Sequence, residues 1–576
     1  MKPILLAIVC VCGLPAATPD PVKDWITRNA VRLETPEAGH GFADMAALKG
    51  IVGNARIVSL GEATHGTREF FQLKHRMLEY LATEMGFTIF SIEANMPEAY
   101  RLNAYVLKGT GDPVALLQGM YFWTWNTQEV LDMIRWMRKF NESGKGRVQF
   151  TGFDMQTPRV ALDIAEGFLK QRDAGFATSE EHRKAVGMVT APAATGQSFG
   201  VATASFPVAE ARGKRVRFSG YIKTRDVTTG YAGFWWRVDG PGQKMLAFDN
   251  MQGRGPRGAT DWTRYEIELP VAAEAININF GALFPGDGMA WFDGLKVELD
   301  GKTYDSPNLD LDFETPRFNG FFTGGAGYRI QRDAEVVHSG SYSLSMTRVA
   351  DAPNAVTPKV ASAAWKDIVG HMEASREVYA KAGASKTETE WAIQNARVVW
   401  QCLQMKANEK SRDRSMAENV KWILDQNPQA KIVLWAHNGH VGAASPHGFE
   451  SMGSALRQMY GTQMAVFGFS FFEGSFQAIG ANGGGLRDFT VTGAPEGTWD
   501  AAFASAAIPM FALDLRKAPK EGPVAGWLKD KRQARSIGAM YREEEPATFF
   551  YDVSLPEQYD AVLFVAKTTA ARKNPK

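Results

Sequence analysis

The stretch RIVSLGEATHG, residues 56–66, sets the fold because a short β-rich run passes directly into a polar turn and then a helix. Residues 56–60 predict a buried strand, and apolar residues recur at helical spacing from Phe70 to Leu81. A second β-rich run follows at 87–92. Strands that alternate with amphipathic helices are typical of a largely parallel sheet flanked by helices, so we predict an α/β fold.

The α/β pattern is interrupted in the middle of the chain. It covers residues 22–190 and resumes over 356–572, which we predict to be two halves of one domain. Residues 191–355 instead show short alternating strands, such as 216–222, separated by turns rich in Gly, Pro, Asp and Asn. This texture predicts an inserted all-β sandwich of jelly-roll type.

The composition limits the class of partner. Hydrophobic residues make up 45% of the 576 residues and charged residues 22%, as in a globular protein. The chain has 64 Lys and Arg against 63 Asp and Glu, so no overall field attracts nucleic acid or an acidic membrane. We expect a small, weakly charged substrate and no nucleic-acid partner.

Residues 1–18 have the three parts of a secretory signal peptide. Lys2 supplies the charge, an apolar run follows, and small residues precede Thr18. The run is too short to span a membrane, so we expect an exported protein, periplasmic or secreted, without a membrane span after processing. The alternative is a buried N-terminal helix of a cytosolic protein.

The polar turn at 61–66 carries the first candidates for chemistry. His65 stands at the carboxyl end of a strand and opens a helix, where the helix dipole favours a neutral imidazole that accepts a proton. We predict His65 as a general base, with Glu62 orienting it or sharing the proton transfer. The alternative is that Glu62 and Thr64 only cap the helix.

Three other predicted strands end in polar groups. Glu93, Asp154 and His437 each follow a β-rich run, and His440 lies three residues beyond His437. Any one of them could be a structural group with a satisfied partner, but parallel strands place their carboxyl ends on one rim. We therefore expect these side chains to converge with Glu62 and His65 in one crevice.

Several motifs together resemble the erythromycin esterase family. They are Gly61–Gly66, the Glu93 strand, Trp136 with Asn141 before Gly152–Asp154, Arg412–Asn419, and Trp435–Val441. The likeness covers roughly residues 40–190 and 360–570 and skips the predicted sandwich. It implies an erythromycin-esterase-like α/β fold and metal-independent hydrolysis. The best-known activity of the family is the opening of a macrolide lactone, which is a response to an antibiotic.

The resemblance carries over to individual positions. It implies catalytic roles for Glu62, His65, Glu93, His437 and His440. The basic position nine residues after His65 is often arginine in the family but is Lys74 here, which keeps the charge and loses the planar guanidinium. As substrate-binding residues we predict Lys74, Asp154, Trp125 and Asn438.

Two other catalytic classes receive less support from the sequence. Three histidines and three acids could bind zinc, but His437 and His440 lack the spacing of a helical zinc signature, and we predict no metal and no cofactor. A serine hydrolase is disfavoured because no Gly-x-Ser-x-Gly turn follows a predicted strand.

The predicted sandwich resembles carbohydrate-binding jelly rolls and is rich in aromatic residues, including Trp235, Trp236, Trp262 and Trp291. Exposed aromatic rings can stack on sugars, although alternate aromatics in strands are normally core. We expect an exported hydrolase of an ester or macrolactone, with possible glycan contact. The alternatives are a non-catalytic glycan-binding or envelope-assembly protein, or an enzyme acting on another natural-product or cell-envelope ester.

Overall fold

The computed structural model describes most of the chain. Its described residues are 20–120, 122–190, 199–240, 245–305, 309–315, 318–325, 327–349, 358–408, 410–444, 450–480 and 485–574. The predicted signal peptide, residues 1–18, lies outside them, as do 191–198 and 350–355 of the predicted sandwich. No helix in the described part is long and apolar enough to cross a membrane.

The strands are numbered in chain order over the described residues. They are Val31–Arg32 (β1), Ile57–Leu60 (β2), Ile89–Asn95 (β3), Gln149–Asp154 (β4), Gly200–Ser205 (β5), Arg215–Val227 (β6), Gly233–Asp239 (β7), Met245–Asp249 (β8), Gly258–Pro270 (β9), Asn277–Phe284 (β10), Met289–Leu299 (β11), Lys302–Thr303 (β12), Phe322–Gly324 (β13), Tyr328–Asp333 (β14), Ser343–Arg348 (β15), Ile432–Trp435 (β16), Met464–Gly480 (β17), Leu486–Val491 (β18), Met510–Asp514 (β19), Arg532–Arg535 (β20), Met540–Tyr541 (β21), Phe550–Val553 (β22) and Ala561–Thr568 (β23).

The helices are numbered in the same way. They are Pro21–Asn29 (α1), Leu48–Val52 (α2), Arg68–Met85 (α3), Met96–Lys108 (α4), Pro113–Gln118 (α5), Gln128–Glu142 (α6), Arg159–Arg172 (α7), Ala174–Ala177 (α8), Glu180–Thr190 (α9), Val208–Ala211 (α10), Pro358–Ala374 (α11), Arg376–Lys381 (α12), Lys386–Ala407 (α13), Ser411–Gln426 (α14), Asn438–Val441 (α15), Met452–Tyr460 (α16), Trp499–Ser505 (α17), Pro523–Lys529 (α18) and Leu555–Gln558 (α19).

The described chain forms two compact units. The first comprises the described parts of Met1–Gln156, Lys410–Ala481 and Gly485–Lys576, and the second comprises the described parts of Thr157–Glu409. Within the second unit, α7 and α9 pack with α11 and α13. The predicted boundaries at 190/191 and 355/356 stay a prediction, and the compact units divide the chain at other positions.

The first unit is built on a mixed sheet. Among its described strands the order is β1-β19-β23-β17-β2-β16-β3-β4, with β18 and β21 pairing with β17. The run β23-β17-β2-β16-β3-β4 is parallel throughout, whereas β1, β18 and β19 pair antiparallel. The fold is therefore α/β with a parallel centre and antiparallel additions.

The centre of this sheet is buried on both faces, as is typical of parallel strands covered by helices. All residues of β2, β3 and β16 are buried. Between β2 and β3 the chain forms α3, whose apolar residues Phe70, Leu73 and Met77 are fully buried. The predicted strand–helix–strand unit around residues 56–92 is present.

Two antiparallel sheets lie within the second unit. Their described strands have the orders β13-β5-β10-β7-β8 and β14-β15-β11-β6-β9, with β12 pairing with β11. They share a hydrophobic cluster that includes Phe218, Trp236 and Phe280. Side chains alternate between buried and more exposed along β7, so Trp236 is core and Trp235 faces outward.

Candidate active site

Four neighbouring parallel strands bring polar residues to one edge of the sheet. In the order β2, β16, β3 and β4, their carboxyl ends carry Glu62, His437, Glu93 and Asp154. Glu93 lies inside β3, two residues before its end at Asn95, rather than after the strand. The shared rim expected from parallel strands explains why residues far apart in sequence meet here.

The turn that carries Glu62 and His65 needs its two glycines. A Cβ on Gly61 would stand 2.1 Å from Asn438 Oδ1, and one on Gly66 would stand 2.1 Å from the Gln477 carbonyl oxygen. The carbonyl of Gly66 also accepts hydrogen bonds from the N–H groups of Gln477 and Ala571. Close approach to α15 and β17 therefore fixes the turn before α3 begins.

Glu62 and His65 form a hydrogen-bonded pair. His65 Nδ1 lies 2.6 Å from Glu62 Oε1, and because a carboxylate only accepts, Nδ1 is the donor and Nε2 is the acceptor nitrogen of the neutral tautomer. Nε2 has no hydrogen-bond partner among the described residues, and the His65 side chain is 12% exposed. This ring nitrogen is thus available to a water or substrate atom.

The second carboxylate oxygen of Glu62 accepts hydrogen bonds from two buried side chains. Lys74 Nζ donates to Glu62 Oε2 at 2.5 Å, and Trp435 Nε1 donates to the same oxygen at 2.7 Å. Burial by itself would raise the pKa of Glu62, but the charge of Lys74 and the hydrogen bond with His65 hold it below its ordinary value. Glu62 is therefore a carboxylate when it orients His65.

Lys74 lies on the buried side of Glu62, away from solvent. Its side chain is fully buried, and its ammonium lies 4.3 Å from the Trp435 ring centre and 5.0 Å from that of Phe469. Burial lowers the pKa of Lys74 to about 8, although the carboxylate of Glu62 opposes the shift. Its position makes Lys74 a support for Glu62.

Glu93 is bound to a second cationic group. Arg412 Nη2 donates to Glu93 Oε1 at 2.8 Å, and the backbone N–H of His437 donates to Oε2 at 3.0 Å. Burial alone would raise the pKa of Glu93, but the charges of His440 and Arg412 hold it well below its ordinary value. Glu93 is an ionised hydrogen-bond acceptor at neutral pH.

Arg412 joins the charged groups into what we call the Arg412 network, comprising Arg412, Glu93, Asp154, His440 and Asp413. The guanidinium donates to both oxygens of Asp154, through Nε at 3.2 Å and Nη2 at 2.7 Å, and Nη1 lies 3.2 Å from His440 Nε2. Burial alone would lower the pKa of Arg412, but Asp154 and Glu93 raise it above its ordinary value. Arg412 is therefore permanently charged.

His440 is engaged on both ring nitrogens. Its Nδ1 lies 2.8 Å from Asp413 Oδ1, and its Nε2 lies 3.4 Å from Glu93 Oε1. Burial alone would lower the pKa of His440, but Glu93 and Asp413 raise it above the ordinary value. Asp413 also accepts a hydrogen bond from the N–H of Met452, which fixes its position.

His437 faces His65, but the backbone holds its ring nitrogens. The ring centres of the two histidines are 5.1 Å apart. His437 Nε2 lies 3.2 Å from the Ile537 carbonyl oxygen, and Nδ1 accepts from the N–H of Gly439 at 3.2 Å. Burial lowers the pKa of His437 to about 3, so the ring is neutral over the working pH range.

The residues predicted to bind substrate mostly face protein partners. Trp125 is 1% exposed and donates through Nε1 to the Glu93 carbonyl. Asn438 bonds the backbone of Phe469 with both side-chain groups. Asp154 is fully buried beneath Arg412. Their roles as substrate contacts stay predictions, and the structure gives each a role in shaping the rim.

Sequence reasoning did not assign Arg412 and Asp413 to the site. Both stand at the start of α14, inside the motif Arg412–Asn419 that supported the family resemblance. In a sequence, a charged pair at the start of an amphipathic helix looks like part of a solvent-exposed face. Only the occurrence of this pair together with the His437 motif, in the set of motifs that resembles the family, could have indicated a role. The described residues contain no cluster of three or more His, Cys, Asp or Glu side chains suited to holding a metal ion.

Comparison with known families gives a consistent result. A family model described as erythromycin esterase matches residues 82–215 and 331–568. These ranges include Glu93, Arg412 and His437 but begin after Glu62 and His65. Erythromycin esterase type II of Escherichia coli is 26% identical over 159 residues, which cover 26% of this chain and 36% of that protein. The chain thus spans about a third of the length of this curated relative.

Solved structures resemble almost the whole chain. A Bacillus cereus protein superposes with a TM-score of 0.60 at 20% identity, covering 96% of this chain and 98% of that one. A mutant erythromycin esterase in its open conformation superposes with a TM-score of 0.52 at 13% identity, covering 93% and 95%. At such identities the likeness shows a shared fold.

Proposed function

The chain belongs to the erythromycin esterase family, and on this basis we propose that it hydrolyses an ester or lactone bond of a small molecule. The observation that carries the proposal is the pairing of His65 Nδ1 with Glu62, which leaves Nε2 without a partner among the described residues, at the sheet edge that also carries Glu93 and His437. A carboxylate-oriented imidazole is an effective general base near neutral pH.

In the proposed reaction His65 Nε2 removes a proton from a water molecule while the water oxygen attacks the carbonyl carbon. The imidazolium that forms is stabilised by Glu62, whose own charge is balanced by Lys74. When the tetrahedral intermediate collapses, the bond to the alcohol oxygen breaks and the proton passes from His65 to that oxygen. The products are a carboxylic acid and an alcohol, or a hydroxy acid from a lactone.

The Arg412 network contains a permanently charged guanidinium, that of Arg412, at the same edge of the sheet. We propose that Arg412 and His440 stabilise the negative charge that develops on the carbonyl oxygen, and that Glu93 holds both side chains in place. His437, whose ring nitrogens are bonded to Gly439 and Ile537, would then line the site as a neutral ring beside His65.

A hydrolysis screen tests the proposal directly. Purified full-length protein would be incubated with a panel of esters and lactones, including macrolactones and acylated envelope sugars, and acid release would be measured by pH-stat titration. We expect at least one substrate to be hydrolysed by the wild type and not by His65→Ala, with His40→Ala as a control because His40 is an exposed histidine outside the site. Equal rates in the wild type and in His65→Ala would reject this site.

The two antiparallel sheets support a second proposal, that residues 191–355 form an inserted jelly-roll-like sandwich that contacts glycans. The outward face of the sheet β13-β5-β10-β7-β8 has exposed aromatics on both edge strands, Phe322 at 70% and Phe248 at 44%. Arg237 and Asn279 lie between them in paired register. Aromatic rings flanking planar polar groups suit sugar rings and their hydroxyls.

Glycan contact and catalysis are separable by mutation. Phe248→Ala with Phe322→Ala should abolish retardation in gels that contain neutral polysaccharide and leave ester hydrolysis unchanged. Trp262→Ala, on the other antiparallel sheet, serves as the matched control. A protein that binds glycan and hydrolyses no ester would favour a non-catalytic binding function.

We also propose that the protein is exported, because residues 1–18 have the composition of a signal peptide. N-terminal sequencing of the protein recovered from the periplasm or medium should give a start close to residue 19. Recovery of the intact N-terminus in the cytosol would reject export.

A further inference from the structure

A cavity of about 270 Å³ lies in the first unit, next to the candidate active site. Its apolar wall includes Phe469, Trp499, Leu555, Tyr559 and Val562. A cavity of roughly 150 Å³ can hold benzene, and pockets for drug-sized ligands measure about 300–1,000 Å³. The space therefore suits a group of one or two rings and not an entire macrolactone.

One side of the cavity is polar. Ser470 Oγ donates to Asp500 Oδ1 at 2.5 Å, and the backbone N–H of Arg535 donates to Asp500 Oδ2 at 2.8 Å. Each carboxylate oxygen has lone pairs beyond these bonds, so it can accept one more hydrogen bond from a ligand hydroxyl. Ser470 and Asp500 both line the cavity.

Two buried residues of opposite charge, Asp500 and Arg535, line the cavity, and the third charged residue of the lining, Asp552, is exposed to solvent. The guanidinium of Arg535 lies between the rings of Phe471 and Phe550, 5.0 and 5.1 Å from their centres, and donates to the Thr492 carbonyl. Burial raises the pKa of Asp500, and the charge of Arg535 opposes the shift. A ligand that carries its own charge would upset this balance, so the complementary ligand is uncharged.

The cavity borders segments that hold the candidate active site. Gly439 lines the cavity, and its N–H donates to His437 Nδ1. Ser536 also lines it, and the carbonyl of the next residue, Ile537, bonds His437 Nε2. The ring of His437, whose centre lies 5.1 Å from that of His65, is therefore bonded to two segments that border the cavity.

We propose that this cavity receives the alcohol portion of the substrate, an uncharged apolar group of one or two rings whose free hydroxyl bonds Asp500. The assignment to a substrate rests on the proposed function. The binding of a neutral cyclic alcohol does not depend on turnover, so the two can fail separately.

Three probes of equal ring size test the charge argument. Cyclohexanol, cyclohexanecarboxylate and cyclohexylammonium would each be titrated against the full-length protein, with binding followed by ligand-observed NMR. We expect cyclohexanol to bind and the two charged analogues to bind at least about tenfold more weakly, because they meet a charge-balanced wall. Equal binding of all three, or no binding of cyclohexanol, would overturn the proposal.

A variant that fills the cavity tests whether cyclohexanol binds there. Ala534 lines the cavity on β20, whereas its neighbour Gln533 is exposed on the same strand and is not part of the lining. Ala534→Trp should weaken cyclohexanol binding about tenfold or more, and Gln533→Trp should leave it unchanged. Unchanged binding in Ala534→Trp would place the ligand elsewhere and overturn the proposal.

A neutral isostere of Asp500 gives an independent test. In Asp500→Asn the charge of Arg535 loses its counter-charge, so the preference should shift from cyclohexanol towards cyclohexanecarboxylate. Retained preference for the alcohol would contradict the charge argument. If cyclohexanol binds as expected but no ester is hydrolysed, the proposed function fails and the cavity remains an alcohol site. If esters are hydrolysed with the same KM by the wild type and by Ala534→Trp, the substrate assignment fails.

Discussion

The Glu62–His65 pair and the Arg412 network both join imidazole to carboxylate, yet they differ in what they leave open. His65 gives Nδ1 to Glu62 and keeps Nε2 free, whereas His440 has partners at both nitrogens. Only the first arrangement can exchange a proton with a bound water without breaking an existing contact. The difference shows that residue type alone does not separate a base from a structural histidine.

The two regions also balance charge differently. The negative charge of Glu62 is balanced by Lys74, whose pKa is about 8. The net charge of this pair therefore changes within the biological pH range. Glu93 and Asp154 share one guanidinium, that of Arg412, which cannot lose its proton, and His440 also lies beside Glu93. We infer that the first region is adjustable and that the second is a fixed electrostatic frame.

The largest effect on activity should come from removing Nε2 of His65. His65→Ala should lower kcat by about 10²–10⁴-fold with the fold intact, the typical contribution of a general base. His437→Gln should cost far less, because the ring of His437 is neutral and already bonded to backbone groups. Rates would be measured on the best substrate of the screen, with circular dichroism as the folding control. Equal losses in the two variants would remove the distinction between His65 and its neighbour.

The Arg412 network should contribute to the free energy of unfolding. Arg412→Gln leaves Asp154 buried without its cationic partner and Glu93 with His440 alone, so we expect it to lower the free energy of unfolding by about 3–5 kcal/mol. Arg414→Gln on the same helix is the control, since Arg414 is 46% exposed and its loss should cost less than about 0.5 kcal/mol. Urea denaturation measures both. Similar values for the two variants would show that the network is not a buried frame.

The buried Glu62–Lys74 pair predicts that kcat/KM depends on pH. Lys74 is charged below about pH 8 and neutral above it, so kcat/KM should fall as the pH rises through this value. In Lys74→Arg the cation persists, and the fall should move to higher pH. A pH profile of the two proteins from pH 6 to 10 checks this shift. An alkaline limb that stays in place in Lys74→Arg would mean that another group titrates there.

The smallest expected effect concerns metal ions. Since we assign His65 to proton transfer, exhaustive dialysis against a chelator should leave the wild-type rate unchanged. Activity that is lost on chelation and returns with zinc would replace the base mechanism by metal-activated water. In that case His65, His437 and His440 become candidate ligands.

The sequence determined the parts of this site that depend on local pattern. Strand runs followed by Glu62, Glu93, Asp154 and His437 predicted a parallel sheet with polar residues on one rim, because strand periodicity and the position of strand ends are local properties. The aromatic-rich alternation in the middle of the chain likewise predicted strands in that region. The family resemblance added the basic position occupied by Lys74.

Tertiary structure decided which of these groups can react. The backbone carbonyl that holds His437 comes from Ile537, one hundred residues away in the chain, and the cation that balances Glu93 comes from α14. Lys74 stands on a predicted helix face, but only packing against Trp435 and Phe469 buries its ammonium and lowers its pKa. Hydrogen-bond partners and burial depend on contacts between distant segments, and no local pattern encodes them.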